Sequence, residues 1–217
     1  MKSALLNGSP KHGWSASGVI LRELQASIPR ECSWVEHHLM PGTLTDETLA
    51  ELASCSVLVL AFPLYMDGVP GHLVKQLQVL EQCLVGETHD IVVYAMVNNG
   101  FIEGHQADLA LAMIGHWCRR AGLAFGGGLG IGAGGMMSSM DTVPPGSGPK
   151  KSLGRAYAAL GAAIAHRCPV EIMFTGPVFP RWAYMAAAHH SWRRTARANG
   201  LKARELGRRP QQSDGAP

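Results

Sequence analysis

The chain is organised around the stretch Asn7-Gly8-Ser9-Pro10-Lys11-His12-Gly13-Trp14-Ser15-Ala16-Ser17. It follows a short apolar run, Ala4-Leu5-Leu6, and precedes an amphipathic run, Gly18-Val19-Ile20-Leu21-Arg22-Glu23-Leu24. That order reads as strand, small-residue loop, helix. Such a loop gathers backbone N–H groups, hydroxyls and one cation around the positive end of a helix, which is a ready site for phosphate. The same residues also suit an ordinary Gly-Ser-Pro turn with Ser15 or Ser17 as an N-cap. Composition of the loop alone leaves both readings open.

Other chemistry-bearing residues are scattered. Gly130-Ile131-Gly132-Ala133-Gly134-Gly135 matches the dinucleotide fingerprint letter for letter. Its context is wrong. It follows the last strand of the repeating pattern, opens no clear helix, and has Lys150, Lys151 and Arg155 where an acidic ribose ligand belongs. It reads as close backbone packing or as a substrate wall. His37-His38 and His189-His190 are adjacent pairs, and neighbours in sequence point apart on a strand or helix, which argues against a metal site. No nucleophile–base pairing stands out. Lys150 and Lys151 could meet a nucleotide 2′-phosphate or stand as solvated lysines.

The elements that must position these residues alternate. Strands are expected at 2–6, 32–39, 56–62, 90–97 and 123–131. Helices are expected at 15–28 (stopped by Pro29), 46–53, 71–84, 103–121 and 152–166. The helix at 103–121 carries Leu109, Met113, Ile114 and Trp117 at helical spacing. Strand and helix alternating five times give a doubly wound five-stranded parallel sheet of order 2-1-3-4-5 with helices on both faces. In that order the carboxyl ends of strands 1, 3 and 4 lie side by side. The loops there are the stretch above, then Pro63-Leu64-Tyr65-Met66-Asp67-Gly68-Val69-Pro70, then Asn98-Asn99-Gly100-Phe101. Gly68 and Gly100 permit close approach to a ligand. His72 and His105 follow these two loops and could face the pocket or the helix surface. The turn-rich segment Met40–Thr43 follows strand 2, and the long loop Gly132–Lys151 reads as a lid or pocket wall.

These three loops, in this order, resemble those of the flavodoxin-like NAD(P)H-dependent FMN reductases and quinone reductases. The resemblance covers about residues 1–136, and more loosely the helix near 181–200. It implies that Ser9, Lys11, Ser15, Ala16 and Ser17 hold the FMN phosphate. It implies that Pro63, Leu64, Tyr65, Met66 and Asp67 line the isoalloxazine ring, mainly through backbone, and that Asn98, Asn99, Gly100 and Phe101 close over its other edge. Many members carry an Asn-Thr pair after the serine, where this chain has Ala16-Ser17. The implied activity is hydride transfer from NAD(P)H through FMN to a small-molecule acceptor such as a quinone, flavin or nitroaromatic. Binding residues then matter more than any catalytic side chain. A homodimer or homotetramer is implied as well. The alternative is a flavodoxin-type electron carrier that binds FMN and docks protein partners. A third reading keeps the fold without the flavin.

Bulk properties narrow the classes. The chain has 217 residues, 47% hydrophobic and 16% charged, enough for one sizeable core. The expected division is a core domain at 1–168, an extension at 169–200 with a helix at 181–199, and a basic tail at 201–217, disordered from Pro210. From His189 onward the charge is +5, which leaves −2 for the body. A body of −2 is unlike the strongly acidic carriers that steer to basic partners. It also lacks the basic stripe of a nucleic-acid binder. The apolar segment 170–188 is broken by Glu171, Pro177, Pro180 and Arg181, so no membrane span is expected. Five widely spaced cysteines without Cys-x-x-Cys, and no visible leader after Met1-Lys2, read as reduced thiols in a cytoplasmic protein.

Overall fold

The computed structural model describes residues 1–28, 32–42, 44–86, 89–178 and 180–207. The helix stop at Pro29, the turn residue Thr43, and tail residues from Arg208 through Pro217 lie outside the described residues. The chain divides into two compact units, Met1–Val178 and Phe179–Pro217.

The first unit is built on six parallel strands in the order β2-β1-β3-β4-β5-β6. They are β1 (Lys2–Asn7), β2 (Ser33–His38), β3 (Val57–Pro63), β4 (Val92–Asn98), β5 (Ala124–Ile131) and β6 (Met173–Thr175). The expected order 2-1-3-4-5 stands, and a sixth strand extends it. This β6 pairs Leu129 with Met173 through Ile131 with Thr175. Three residues are too few to show a strand period in sequence. The first unit, Met1–Val178, includes this strand.

The helices are α1 (Ala16–Gln25), α2 (Asp46–Ala53), α3 (Gly71–Leu84), α4 (Asp108–Arg120) and α5 (Lys151–His166). Strand β3 shows why both faces must be covered. Leu58, Leu60 and Phe62 enter the core with α2, α3 and α4, while Val57, Val59 and Ala61 enter the core with α1 and α5. Alternation along a strand buried on both sides demands apolar residues at every position.

The helix expected at 103–121 begins instead as a 3-10 turn, Gly104–Ala107, and α4 starts at Asp108. Its buried face is Ala110, Leu111, Ile114, Trp117 and Cys118, whereas Leu109 and Met113 are exposed. Two of the four residues at helical spacing therefore lie outside the core, because the helix turns its Ala110–Leu111 edge to the sheet.

The long loop at 132–151 is structured. Two 3-10 turns, Gly134–Met140 and Gly148–Lys150, occupy it. Met137 and Met140 are buried in the α1–α5 core.

The second unit consists of α6 (Arg181–Ala198) and a short 3-10 turn. Along α6 the apolar residues Trp182, Met185 and Trp192 are exposed, and Ala196 is buried. Among the described residues no helix is long and apolar enough to cross a membrane.

Candidate functional site

The loop after β1 is held from three sides. The Gly8 N–H donates to the Ala61 carbonyl at 2.8 Å, fixing the loop to β3. The Asn7 amide works in both directions. Its Oδ1 accepts the Ser9 N–H at 3.1 Å, and its Nδ2 donates to Ser15 Oγ at 3.2 Å. From β2, the His38 Nε2–H donates to the Ser9 carbonyl at 2.7 Å. Gly13 sits at φ +76, a region that an L side chain rarely adopts. Neither the bracing by Asn7 nor that by His38 shows in sequence. A terminal Asn on a strand carries no local sign of such bracing, and His38 meets Ser9 only through strand pairing.

The bonding leaves donors unspent. A hydroxyl has one donor and two acceptor lone pairs. Ser15 Oγ accepts from Asn7 Nδ2 and, as the N-cap of α1, from the Gly18 N–H at 3.1 Å. Ser9 Oγ accepts the Lys11 N–H at 3.3 Å. Among the described residues neither hydroxyl hydrogen meets an acceptor. Both serines are buried, at 3% and 4% exposure, so water supplies little competition. The N–H groups of Ala16 and Ser17 open the helix and have no intrahelical partner. Lys11, in the same loop, is exposed. Ser17 differs from the others. Its hydroxyl, 1% exposed, donates to Asn98 Oδ1 at 2.9 Å. It therefore ties α1 to the end of β4, and only its backbone N–H is left for an anion.

The loops after β3 and β4 lie on the adjoining strand ends. Leu64 N–H donates to the Asn98 carbonyl at 2.8 Å, so the two loops are joined at their roots. Tyr65 and Gly68 exchange backbone bonds of 3.1 and 3.0 Å around a tight turn. Both central residues are left-handed, Met66 at φ 49 and Asp67 at φ 59. That is the primed turn of a two-residue hairpin, built here without glycine. Positive φ in a side-chain-bearing residue costs energy that folded loops concentrate at functional sites. Met66 is completely exposed and packs on nothing, so its strain can be tested cleanly. Met66→Asn should keep or raise stability, by up to about 1 kcal/mol, and Met66→Val should lower it by about 1–2 kcal/mol. Denaturant titration reads both. Equal stability of the two variants would show that the turn is relaxed.

The β4 loop is ordered by its two asparagines. Asn98 receives Ser17, as above. Asn99 Oδ1 accepts the Phe101 N–H at 2.9 Å, and its Nδ2 donates to the Glu103 carbonyl at 3.2 Å. The loop is also bonded from the glycine-rich strand end, by Gly134 N–H to the Asn99 carbonyl at 2.6 Å and by Ala133 N–H to the Phe101 carbonyl. Asn98 and Asn99 are thus buried frame residues. Tyr65, Met66 and Phe101 are exposed beside one another's loops, together with Gly100.

Several other candidates are settled by their partners. Lys150 is 1% exposed and forms an ion pair of 2.5 Å with Glu23, so it cannot meet a nucleotide 2′-phosphate; Lys151 is exposed. His105 stacks on Phe174 with ring centroids 4.1 Å apart, which turns it to β6 and away from the loops. His37 pairs with Glu51 at 2.9 Å. Burial pushes the Cys118 thiol up to about 12 and raises Cys55 as well, so neither supplies a thiolate at neutral pH. The three loops therefore bring together unspent donors, exposed side chains and a bonded frame. Their chemistry would come from what they bind.

No protein-family model matches this chain, and a search of the curated proteins finds no match. Solved structures do match. A flavodoxin, WrbA-like protein from Agrobacterium tumefaciens is 13% identical with a TM-score of 0.53, over 76% of this chain and 96% of that one. An NADH:FMN oxidoreductase (EMOB) in apo form is 14% identical with a TM-score of 0.55, over 75% and 89%. An NADPH-quinone reductase from P. pentosaceus is 13% identical with a TM-score of 0.51, over 74% and 98%. Strand order, helix placement and these likenesses together give the chain a flavodoxin-like α/β fold.

Proposed function

We propose that this chain is an FMN-dependent oxidoreductase that passes hydride from NAD(P)H to a small acceptor such as a quinone, a flavin or a nitroaromatic. One observation carries the reading. The buried hydroxyls of Ser9 and Ser15 both keep their hydrogens free among the described residues; Ser15 Oγ accepts two bonds and Ser9 Oγ one, at the loop that opens α1. Buried hydroxyl hydrogens without an acceptor, at a helix N-terminus, suit an anion. The adjoining shelf of Pro63–Asp67 and Asn98–Phe101 suits the ring that such a phosphate would carry. The names of two fold neighbours, NADH:FMN oxidoreductase and NADPH-quinone reductase, support the same kind of reaction.

The roles divide by residue. Ser9, Ser15, Lys11 and the N–H groups of Ala16 and Ser17 hold the phosphate. Ser17 and Asn98 fix the distance between phosphate and ring shelf. Pro63, Leu64, Tyr65, Met66 and Asp67 support one edge of the ring, and Asn99, Gly100 and Phe101 the other. Bound flavin supplies the hydride chemistry; the protein supplies position and exclusion of water. The exposed apolar rim of Tyr65, Met66, Phe101, Leu109 and Met113 fits a second copy of the chain, giving a homodimer with the site at its edge. A cytoplasmic location fits the free cysteines.

Purified protein mixed with FMN should turn yellow and oxidise NADPH or NADH when a quinone is added. Ser15→Ala should weaken FMN binding about tenfold and leave riboflavin, which lacks the phosphate, unchanged. Protein that takes up no flavin overturns the reading. Equal weakening of FMN and riboflavin would move the phosphate away from Ser15.

A further inference from the structure

A second concavity adjoins the phosphate loop on the side away from the ring shelf. It is a cleft of ≈310 Å³ between α1 and the edge strand β2. The volume is at the small end of the range of about 300–1,000 Å³ typical of ligand pockets, so it fits one small moiety. Leu5 and Leu21 line it, with Gly18 beside them on the helix. Strand pairing sets Glu36 beside Leu5 and His38 beside Asn7. Trp34, two residues before Glu36, packs into the α1–α5 core, so the alternate positions Glu36 and His38 face α1. Gly13, Trp14 and Ser15 form the shared wall between cleft and phosphate loop. The His38 bond to the Ser9 carbonyl, at 2.7 Å, fixes the two sites to each other.

The groups in the cleft have a common meaning. Trp14 is 45% exposed, an aromatic face at the mouth with room for a planar base. The Glu36 carboxylate, on the second strand of a parallel sheet, meets no donor among the described residues. A carboxylate at this place accepts the two hydroxyls of a ribose, and Arg22, which lines the same cleft, supplies a cation beside it. Across the end of the sheet, the order is then cleft at β2, anion donors after β1, and ring shelf after β3 and β4. That succession matches nucleoside, phosphate and ring in one molecule.

We propose that the cleft is an adenosine subsite, and that the flavin this chain holds best is flavin adenine dinucleotide. The inference rests on the flavin reading of the phosphate loop. Trp14 stacks on the adenine, Glu36 accepts the ribose 2′- and 3′-hydroxyls, and the pyrophosphate lies on the Ser9–Ser15 donors.

The experiment titrates the full chain with FMN, FAD and AMP, following flavin fluorescence for the first two and Trp14 emission or calorimetry for AMP. FAD should bind at least about tenfold tighter than FMN. Trp14→Ala and Glu36→Ala, both at exposed positions, should each remove most of that preference and leave FMN binding within about twofold. FAD no tighter than FMN overturns the proposal, as does an equal loss of FMN and FAD in the two variants. If neither flavin binds, the flavin reading fails. AMP then decides the cleft: binding that Glu36→Ala weakens supports a nucleoside site, and no AMP binding overturns it.

Discussion

Glu23→Ala should lower the unfolding free energy by about 3–5 kcal/mol. The reason is the cation it would strand. Lys150 is 1% exposed, and its Nζ donates to Glu23 Oε1 at 2.5 Å. The Tyr157 hydroxyl donates to the other carboxylate oxygen at 3.2 Å. Burial first, and then the Glu23 charge, raise the Tyr157 phenol well above its ordinary range, so it stays a donor. Removing the carboxylate leaves an ammonium in the core with no countercharge. The reverse change should cost less. In Lys150→Met the apolar chain refills the lysine stem's volume, while Glu23 keeps the Tyr157 hydroxyl and its 14% exposure. The double variant Glu23→Leu/Lys150→Met should recover most of the loss, because two apolar groups replace two desolvated charges. Denaturant titration of the three variants gives the coupling. Equal costs for the two single variants would mean that the ammonium finds water in the native state.

This pair also shows where sequence stops being informative. A lysine at the end of a Gly- and Pro-rich loop looks solvated. Its partner is 127 positions away, and only the packing of α1 on α5 brings them together. The same holds for His38 on Ser9, which depends on β2 pairing with β1. What was legible was local and repeated. The uninterrupted apolar run at 56–62 has to be an inner strand, Pro70 has to open α3, and Ser15 caps α1 as its type and place suggest. The three loops on neighbouring strand ends follow from those elements and the sheet order. Their internal geometry does not. Ser17 reads as a phosphate ligand by type, yet its side chain turns to Asn98 across 81 positions of chain. The left-handed pair Met66–Asp67 gives no sign in sequence, because glycine, the usual marker of such a turn, is absent from both positions.

Gly132→Ala should cost about 3 kcal/mol or more and loosen the ring shelf at the same time. A Cβ at Gly132 would overlap the Ile102 carbonyl oxygen and stand 2.6 Å from the Ile102 carbonyl carbon and 2.9 Å from that of Glu103. These are backbone atoms, so no side chain can rotate away. Relief requires moving the segment that follows Phe101, which is held at the Glu103 carbonyl by Asn99 Nδ2 at 3.2 Å. Gly132 N–H donates to the Thr175 carbonyl at 2.8 Å, Asn99 N–H to the Ile131 carbonyl at 3.0 Å, and Gly134 N–H to the Asn99 carbonyl. The glycine-rich run at 130–135 is thus the close contact between the end of β5 and the Asn98–Phe101 loop, in keeping with its failure as a dinucleotide fingerprint. Gly135 provides the control. A Cβ there meets nothing within 4 Å, so Gly135→Ala should change stability by less than about 0.5 kcal/mol. If Gly132→Ala folds, its flavin affinity should fall more than that of Gly135→Ala, since the displaced atoms of Ile102 and Glu103 directly follow the Asn98–Phe101 loop. Matched stability and affinity in the two variants would mean that β5 and the shelf are not in backbone contact.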